Sequence, residues 1–111
     1  MTQNTYIAEL AKLLQPKAPD RKQVWEKAHK IDLGHELAGY RRDDFGNLIR
    51  WEAYGDRTSP YGWEIDHIIP SSLGGAETLD NLRPLKWLAN VHKSDTIPSL
   101  LELYLQGSLR K

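Results

Sequence analysis

Residues 63–95 read WEIDHIIPSSLGGAETLDNLRPLKWLANVHKSD, and this stretch joins extended and helical patterns through a polar loop. Its first part, residues 63–69, is rich in β-branched and aromatic residues and is followed by Pro70, which predicts a strand that ends there. After the polar loop 71–80, residues 82–85 can return as a short strand with Pro84 on a sheet edge, and residues 86–94 can continue as a helix. The stretch therefore predicts the order strand, loop, strand, helix.

The same stretch carries the groups needed to hydrolyse a phosphodiester bond. That reaction needs a base for water, a cation against the developing negative charge, and fixed geometry between the two. An imidazole such as that of His67 can accept a proton from water near neutral pH. Asp66 and Asn90 supply the carboxylate and amide oxygens that a hard divalent cation such as Mg²⁺ prefers. Neighbours on a strand point to opposite sides, so Asp66 and His67 reach one site only if the strand end is irregular.

Further charged residues are candidates for contacts with substrate phosphates or with the metal ligands. On the predicted helix Lys86, Asn90 and Lys93 share one face, which places a lysine on either side of Asn90, although the solvated face of an ordinary helix explains them equally well. Glu64 shares a strand face with Asp66 and could support the metal ligands from behind. An ion pair between Glu64 and an arginine of the preceding hairpin is the alternative.

Four arginines before this stretch could follow a phosphate backbone, and Arg57 is the candidate we retain for a phosphate contact. They alternate with acidic residues along the chain, which favours a mixed, solvated surface. The four are Arg41, Arg42, Arg50 and Arg57.

The joint pattern of His67, a central Asn81 and Asn90 nine positions later resembles the HNH endonuclease family. The ββα-metal finger of that family has a His at the end of its first strand, a central Asn, and a third His or Asn on its helix. Asp66 falls at the metal-ligand position, a glycine pair at 74–75 lies in the usual loop, and residues 93–95 form the customary tail. This chain is similar to the variant with Asn in the third position.

The resemblance implies an endonuclease with one divalent cation, Mg²⁺ or a substitute such as Mn²⁺. His67 would be the general base, Asp66 and Asn90 would hold the cation, and Asn81 would orient the loop and the His67 ring through hydrogen bonds. The substrate would be nucleic acid, DNA rather than RNA, and the nearest counterparts would be small stand-alone bacterial and phage proteins.

Many members of the family bind a structural zinc through paired cysteines. At two of those positions this sequence has Lys86 and Ala89, so we expect no structural zinc. An aromatic core is expected in its place. Its predicted members are Trp51, Trp63 and Trp87.

The rest of the chain predicts scaffold around this motif, in one α+β domain of 111 residues. Residues 1–39 form a helical part, with an amphipathic helix over 5–14 and a second helix capped by Asp20 that buries Val24, Trp25 and Ala28. Two strand-like segments, 40–43 and 48–54, flank a turn and predict a hairpin within residues 40–62. Residues 96–111 repeat apolar positions at helical spacing and predict a helix that packs against the rest.

Composition sets outer limits on this interpretation. The chain has no cysteine, no apolar run near the roughly 20 residues of a membrane helix, and no secretory signal at its start, so we expect a cytoplasmic protein. Its formal net charge is zero, which lends no support to nucleic-acid binding. Two alternatives stay open: a non-catalytic nucleic-acid-binding module that keeps the fold, or a toxin or phage nuclease controlled by an inhibitor protein. Paired cuts by so small a domain would need a homodimer.

Overall fold

The computed structural model describes residues 2–14 and 17–93, and within them the α+β fold is confirmed. The helices are α1 (Thr2–Leu14), α2 (Arg21–Trp25), α3 (Leu33–Leu37) and α4 (residues 87–93, where the description ends). The strands are β1 (Tyr40–Arg42), β2 (Leu48–Arg50), β3 (Trp63–His67) and β4 (Leu82–Lys86). The helix predicted for residues 96–111 lies outside the described residues. None of the helices that the structure describes is both long and apolar enough to cross a membrane.

The predicted order of strand, loop, strand and helix is present as β3, the 68–81 loop, β4 and α4. Strands β3 and β4 pair antiparallel, with Trp63 opposite Lys86 and His67 opposite Leu82. Strand β3 ends two residues before its predicted end because the next main-chain N–H groups turn to Asn81. The Ile68 N–H donates to the Asn81 main-chain oxygen at 2.8 Å, and the Ile69 N–H donates to its side chain at 2.9 Å.

Lys86 belongs to strand β4, and its predicted place on the helix was wrong. It pairs with Trp63 across the sheet, and its N–H donates to a carboxylate oxygen of Asp43 at 3.0 Å. Both partners hold the backbone of Lys86 extended, so α4 begins one residue later. Lys86 therefore does not share a helix face with Asn90 and Lys93.

The predicted hairpin is present but shorter, as strands β1 and β2. Its turn is organised by Asp43, whose carboxylate accepts the N–H groups of Phe45 at 3.0 Å and Asn47 at 2.8 Å. Asp43 is only 1% exposed, and the same carboxylate takes the Lys86 N–H, so one buried acid joins the hairpin to β4. Strand β2 stops at Arg50 because residues Trp51–Ala53 form a 3₁₀ turn.

The core lies where α2 packs against the β3–β4 sheet, and it contains a different set of tryptophans from the one predicted. Trp25 lies 5.0 Å from Trp63 and 5.7 Å from Trp51 between ring centroids, with Ile49 buried beside them. Trp87 is half-buried, and its Nε1 donates to the Ser59 oxygen at 3.1 Å. The third ring of the aromatic core is therefore Trp25, whereas Trp87 fixes the loop before β3.

Asp20 caps α2 as predicted, with its side chain accepting the Gln23 N–H. The additional helix α3 was not predicted, and it helps to bury Arg41. This arginine is 3% exposed, and its guanidinium donates to the carboxylates of Glu26 and Glu36. The hydrogen bond from Arg41 lowers the pKa of Glu36. The solvated-surface interpretation is thus wrong for Arg41, which is a buried structural cation.

Candidate active site

Asp66 lies at the junction of β3, β4 and α4, and its carboxylate forms ion pairs with two basic side chains. Its side chain is 5% exposed. Arg83, its partner across the β3–β4 ladder, donates from Nε to Oδ2 at 2.9 Å. Lys93 reaches the carboxylate from α4 and donates from Nζ to Oδ1 at 2.8 Å and to Oδ2 at 3.0 Å. The sheet and the helix therefore converge on one acid.

The ammonium of Lys93 is surrounded by oxygen atoms. Besides both oxygens of Asp66, Nζ contacts the main-chain oxygen of His67 and, at 3.2 Å, that of Ile68. Only 17% of the Lys93 side chain is exposed. Carboxylate and carbonyl oxygens are the ligands that hard cations prefer. The end of β3 thus forms a cation site, and the ammonium fills it.

His67 is the last residue of β3, and its ring contacts the 68–81 loop. Its Nε2 bonds to a carboxylate oxygen of Glu77, while the ring stays 28% exposed. A neutral imidazole has one N–H and one acceptor nitrogen, so a proton on Nε2 toward this carboxylate leaves Nδ1 as the acceptor. The side chains of Asp66 and His67 take different partners, but β3 ends at His67, since the next two N–H groups turn to Asn81. The main-chain oxygen of His67 contacts the same Lys93 ammonium as Asp66 does.

Glu77 was not predicted from the sequence as a residue of this site. An acidic residue in a polar loop carries no periodic signal, and only the closure of the loop brings it back to the strand end. The available signal was its position, ten residues after His67 in a loop that must return to the same sheet.

Asn81 holds that loop closed with its side-chain amide. Its oxygen accepts the Ile69 N–H at 2.9 Å, and its NH₂ group donates to the oxygens of Ile69 at 3.1 Å and Ala76 at 2.9 Å. Gly75 makes the close approach feasible, since a Cβ there would lie 1.7 Å from the Ile69 oxygen. Asn81 therefore orients the backbone of the loop, and Glu77 within that loop meets the ring of His67.

The remaining candidates occupy different parts of this region. Asn90 is half-buried on α4, three residues before Lys93, which places the two on the same helix face. Arg57 donates from one guanidinium nitrogen to both oxygens of Glu64, at 3.0 and 3.1 Å. The ion-pair alternative for Glu64 is therefore the arrangement present. Within residues 2–14 and 17–93 no group of three or more His, Cys, Asp or Glu side chains is arranged to hold a metal.

A chain of alternating charges continues from Asp66 toward the hairpin. Arg83 reaches Asp44 from NH1 at 3.4 Å, and His29 bonds to the other oxygen of Asp44 at 2.8 Å. Burial acts to raise the pKa of Asp44, but the hydrogen bonds from His29 and Arg83 outweigh it and hold that pKa below its usual value. Arg83 is thus fixed between two carboxylates.

Comparison with protein families matches residues 53–96 to the model of the HNH endonuclease family. The matched range begins in the 3₁₀ turn after β2 and includes β3, the loop, β4 and α4. Searches of curated proteins and of solved structures gave no match.

Proposed function

We propose, from the match of residues 53–96 to the HNH endonuclease family model, that the chain is a metal-dependent endonuclease that hydrolyses phosphodiester bonds in nucleic acid, with DNA as its substrate. The observation that carries the proposal is the end of β3. There a histidine ring and a buried carboxylate follow each other on one strand, beside a loop that Asn81 and Glu77 hold in place.

In this proposal His67 is the general base. With Nε2 bonded to Glu77, the lone pair of Nδ1 accepts a proton from the attacking water. The imidazolium that results lies beside the Glu77 carboxylate, which stabilises its positive charge. Glu77 thus both orients the ring and supports the protonated form that the reaction creates.

The residues around Asp66 fit a hard divalent cation, Mg²⁺ or Mn²⁺ in its place. Four oxygens already gather around one positive charge there, two from the Asp66 carboxylate and two from main-chain carbonyls. We propose Asp66 and Asn90 as the side chains that hold the cation. When bound, such a cation offsets negative charge on the phosphate and on the leaving oxygen. Arg83 keeps the Asp66 carboxylate aimed at this position.

We propose three cationic side chains of this region as contacts for the substrate phosphates. Lys93 lies at the end of β3, whereas Lys86 pairs with Trp63 at the start of that strand. Arg57 is 57% exposed and bonds to Glu64, also near the start of β3. Because the formal net charge is zero, contacts of this local kind must supply the attraction for a polyanion.

The experiment is plasmid nicking with EDTA, Mg²⁺ or Mn²⁺, using the wild-type protein, His67→Ala and the matched control His35→Ala. His35 bonds to Asp32 at the start of α3, away from the matched domain. We expect cation-dependent nicking by the wild type and the control, and a loss of about 10²–10⁴-fold in His67→Ala. Circular dichroism checks that both variants fold. Full activity of His67→Ala would refute the assignment of the base.

One observation favours a second candidate, a binding module without catalysis. The carboxylate of Asp66 is already neutralised by Arg83 and Lys93, so the fold does not need a metal for charge balance. This candidate predicts DNA binding in a gel-shift assay that is insensitive to EDTA, with no nicking under any cation.

A further inference from the structure

We propose that the Lys93 ammonium holds the cation position of Asp66 in the metal-free protein, and that Lys93 leaves it for a substrate phosphate when a divalent cation binds. The inference rests on the proposed function, because it takes Asp66 as a metal ligand. It adds an exchange at Asp66 between the Lys93 ammonium and the divalent cation.

The first support is the oxygen coordination of the ammonium. Lys93 Nζ meets both oxygens of Asp66 and the main-chain oxygens of His67 and Ile68. A surface lysine usually extends its charged end into water, whereas this one is 17% exposed and directed into the strand end. A position lined by oxygen atoms attracts any cation, so a divalent metal ion can take the place of the ammonium.

The second support is that Asp66 cannot neutralise three positive groups. A divalent cation beside Arg83 and Lys93 would place several like charges around a single, nearly buried carboxylate, where water screens them poorly. One of the two side chains must therefore withdraw.

Lys93 is the side chain that can withdraw. Arg83 also donates to Asp44, and its guanidinium lies 5.1 Å from the ring centroid of Phe45, so it is held at several points. Its strand pairs with β3 along its whole length. The four oxygens that hold Lys93 Nζ, by contrast, all belong to the position that the cation would take, and a flexible four-carbon stem carries the ammonium.

The destination of Lys93 follows from its length and its charge. Its stem starts on α4, so the released ammonium stays within reach of the site that it vacates. A phosphate drawn to that site is the nearest new anion for it. The exchange therefore makes the phosphate-binding charge available only when the cation is in place.

The experiment measures the reactivity of individual lysines toward an acylating reagent by mass spectrometry, on the wild-type protein in EDTA and in saturating Mg²⁺ or Mn²⁺. Lys27 is the internal control, because its ammonium is held by the main-chain oxygens of Leu79 and Leu82 and by no proposed metal ligand. We expect the labelling of Lys93 to rise severalfold with the cation while that of Lys27 stays constant. Unchanged labelling of Lys93 in protein that demonstrably binds Mn²⁺ would overturn the inference.

A second measurement compares Mn²⁺ affinity in wild type, Lys93→Met and Lys86→Met by electron paramagnetic resonance. Removing the competing ammonium should tighten Mn²⁺ binding about tenfold, a usual size for coupling between two ligands, and Lys86→Met controls for the loss of one charge. Equal affinity in wild type and Lys93→Met overturns the exchange and leaves the nuclease proposal standing. Absence of Mn²⁺ binding in all three proteins overturns both the exchange and the metal dependence.

Discussion

Asn81→Ala tests whether the side-chain amide of Asn81 keeps the 68–81 loop closed. The substitution removes three hydrogen bonds, of 2.9, 3.1 and 2.9 Å, to the main chain of Ile69 and Ala76. It leaves the backbone pairing of β3 with β4 intact, because that pairing ends at His67 opposite Leu82. The effect should therefore begin in the loop and not in the sheet.

The size of the effect follows from the exposure of the groups that lose their partners. Each hydrogen bond contributes roughly 1 kcal/mol net, which sets an upper value of about 3 kcal/mol for the three. Ile69 is 54% exposed and Ala76 is exposed, so water can replace part of what is lost. We expect a fall of about 2 kcal/mol in the free energy of unfolding. For a domain of this size that corresponds to a melting temperature lower by about 10 °C.

The assay combines thermal unfolding with hydrogen exchange of the Ile69 amide, and Asn47→Ala serves as the control. Asn47 lies in the hairpin turn, and its side chain donates to Asp43 at 3.1 Å, so its loss should lower stability without opening the 68–81 loop. We expect faster exchange at Ile69 and lower nicking only in Asn81→Ala. If the Ile69 amide keeps its protection and the melting temperature is unchanged, Asn81 does not clamp the loop.

Three further predictions concern the loop and the charges around it. Gly75→Ala should prevent the loop from closing, because the new Cβ would lie 1.7 Å from a main-chain oxygen. The control Gly74→Ala places its Cβ in open space at a φ of +89°, so urea unfolding should show a free energy of unfolding lower by only about 1–2 kcal/mol. Glu77→Gln keeps the size of the side chain but removes the negative charge at the His67 ring, so steady-state kinetics should show a lower kcat with little change in KM; an unchanged kcat would contradict this role. The pKa of Asp44 is lowered in the folded protein. The ionised carboxylate therefore stabilises the fold at pH values above its unfolded pKa of about 3.9, and that stabilisation is lost as the pH falls through the lower folded pKa. Asp44→Asn should flatten that acid-side loss in chemical unfolding followed from neutral to acid pH, and an equally steep profile would count against the network.

Much of the fold was predictable from the sequence because its elements repeat local patterns. The strand before Pro70, the returning strand and the following helix all appear at nearly the predicted positions. Helix α3 was missed because it has five residues and no buried face, and it depends on the cap from Asp32 and on the ion pair between Glu36 and Arg41. Contacts of that kind are set by tertiary structure and leave no periodicity to detect.

The residue types of the site were predictable, but their partners were not. His67 and Asp66 were proposed from chemistry and spacing, whereas the contact of Arg83 with Asp66 depends on the strand register that places the two opposite each other. Glu77 required the closed loop. Lys93 was predicted as a phosphate contact, and its bond to Asp66 was not foreseen. A sequence identifies which charges are available, whereas the register decides which of them neutralise one another.

That pairing explains how a chain with zero net charge can be suited to a polyanionic substrate. From Asp44 through Arg83 and Asp66 to Lys93, each charged group meets an opposite partner, so the metal-free protein presents little free positive charge at the site. Arg83 is fixed between two carboxylates, and only the Lys93 end of the chain is able to move. Binding a divalent cation at Asp66 would then free the Lys93 ammonium for a new partner, because the cation takes its place beside the carboxylate. The local charge would rise by the two charges of the cation, with no need for a basic surface elsewhere.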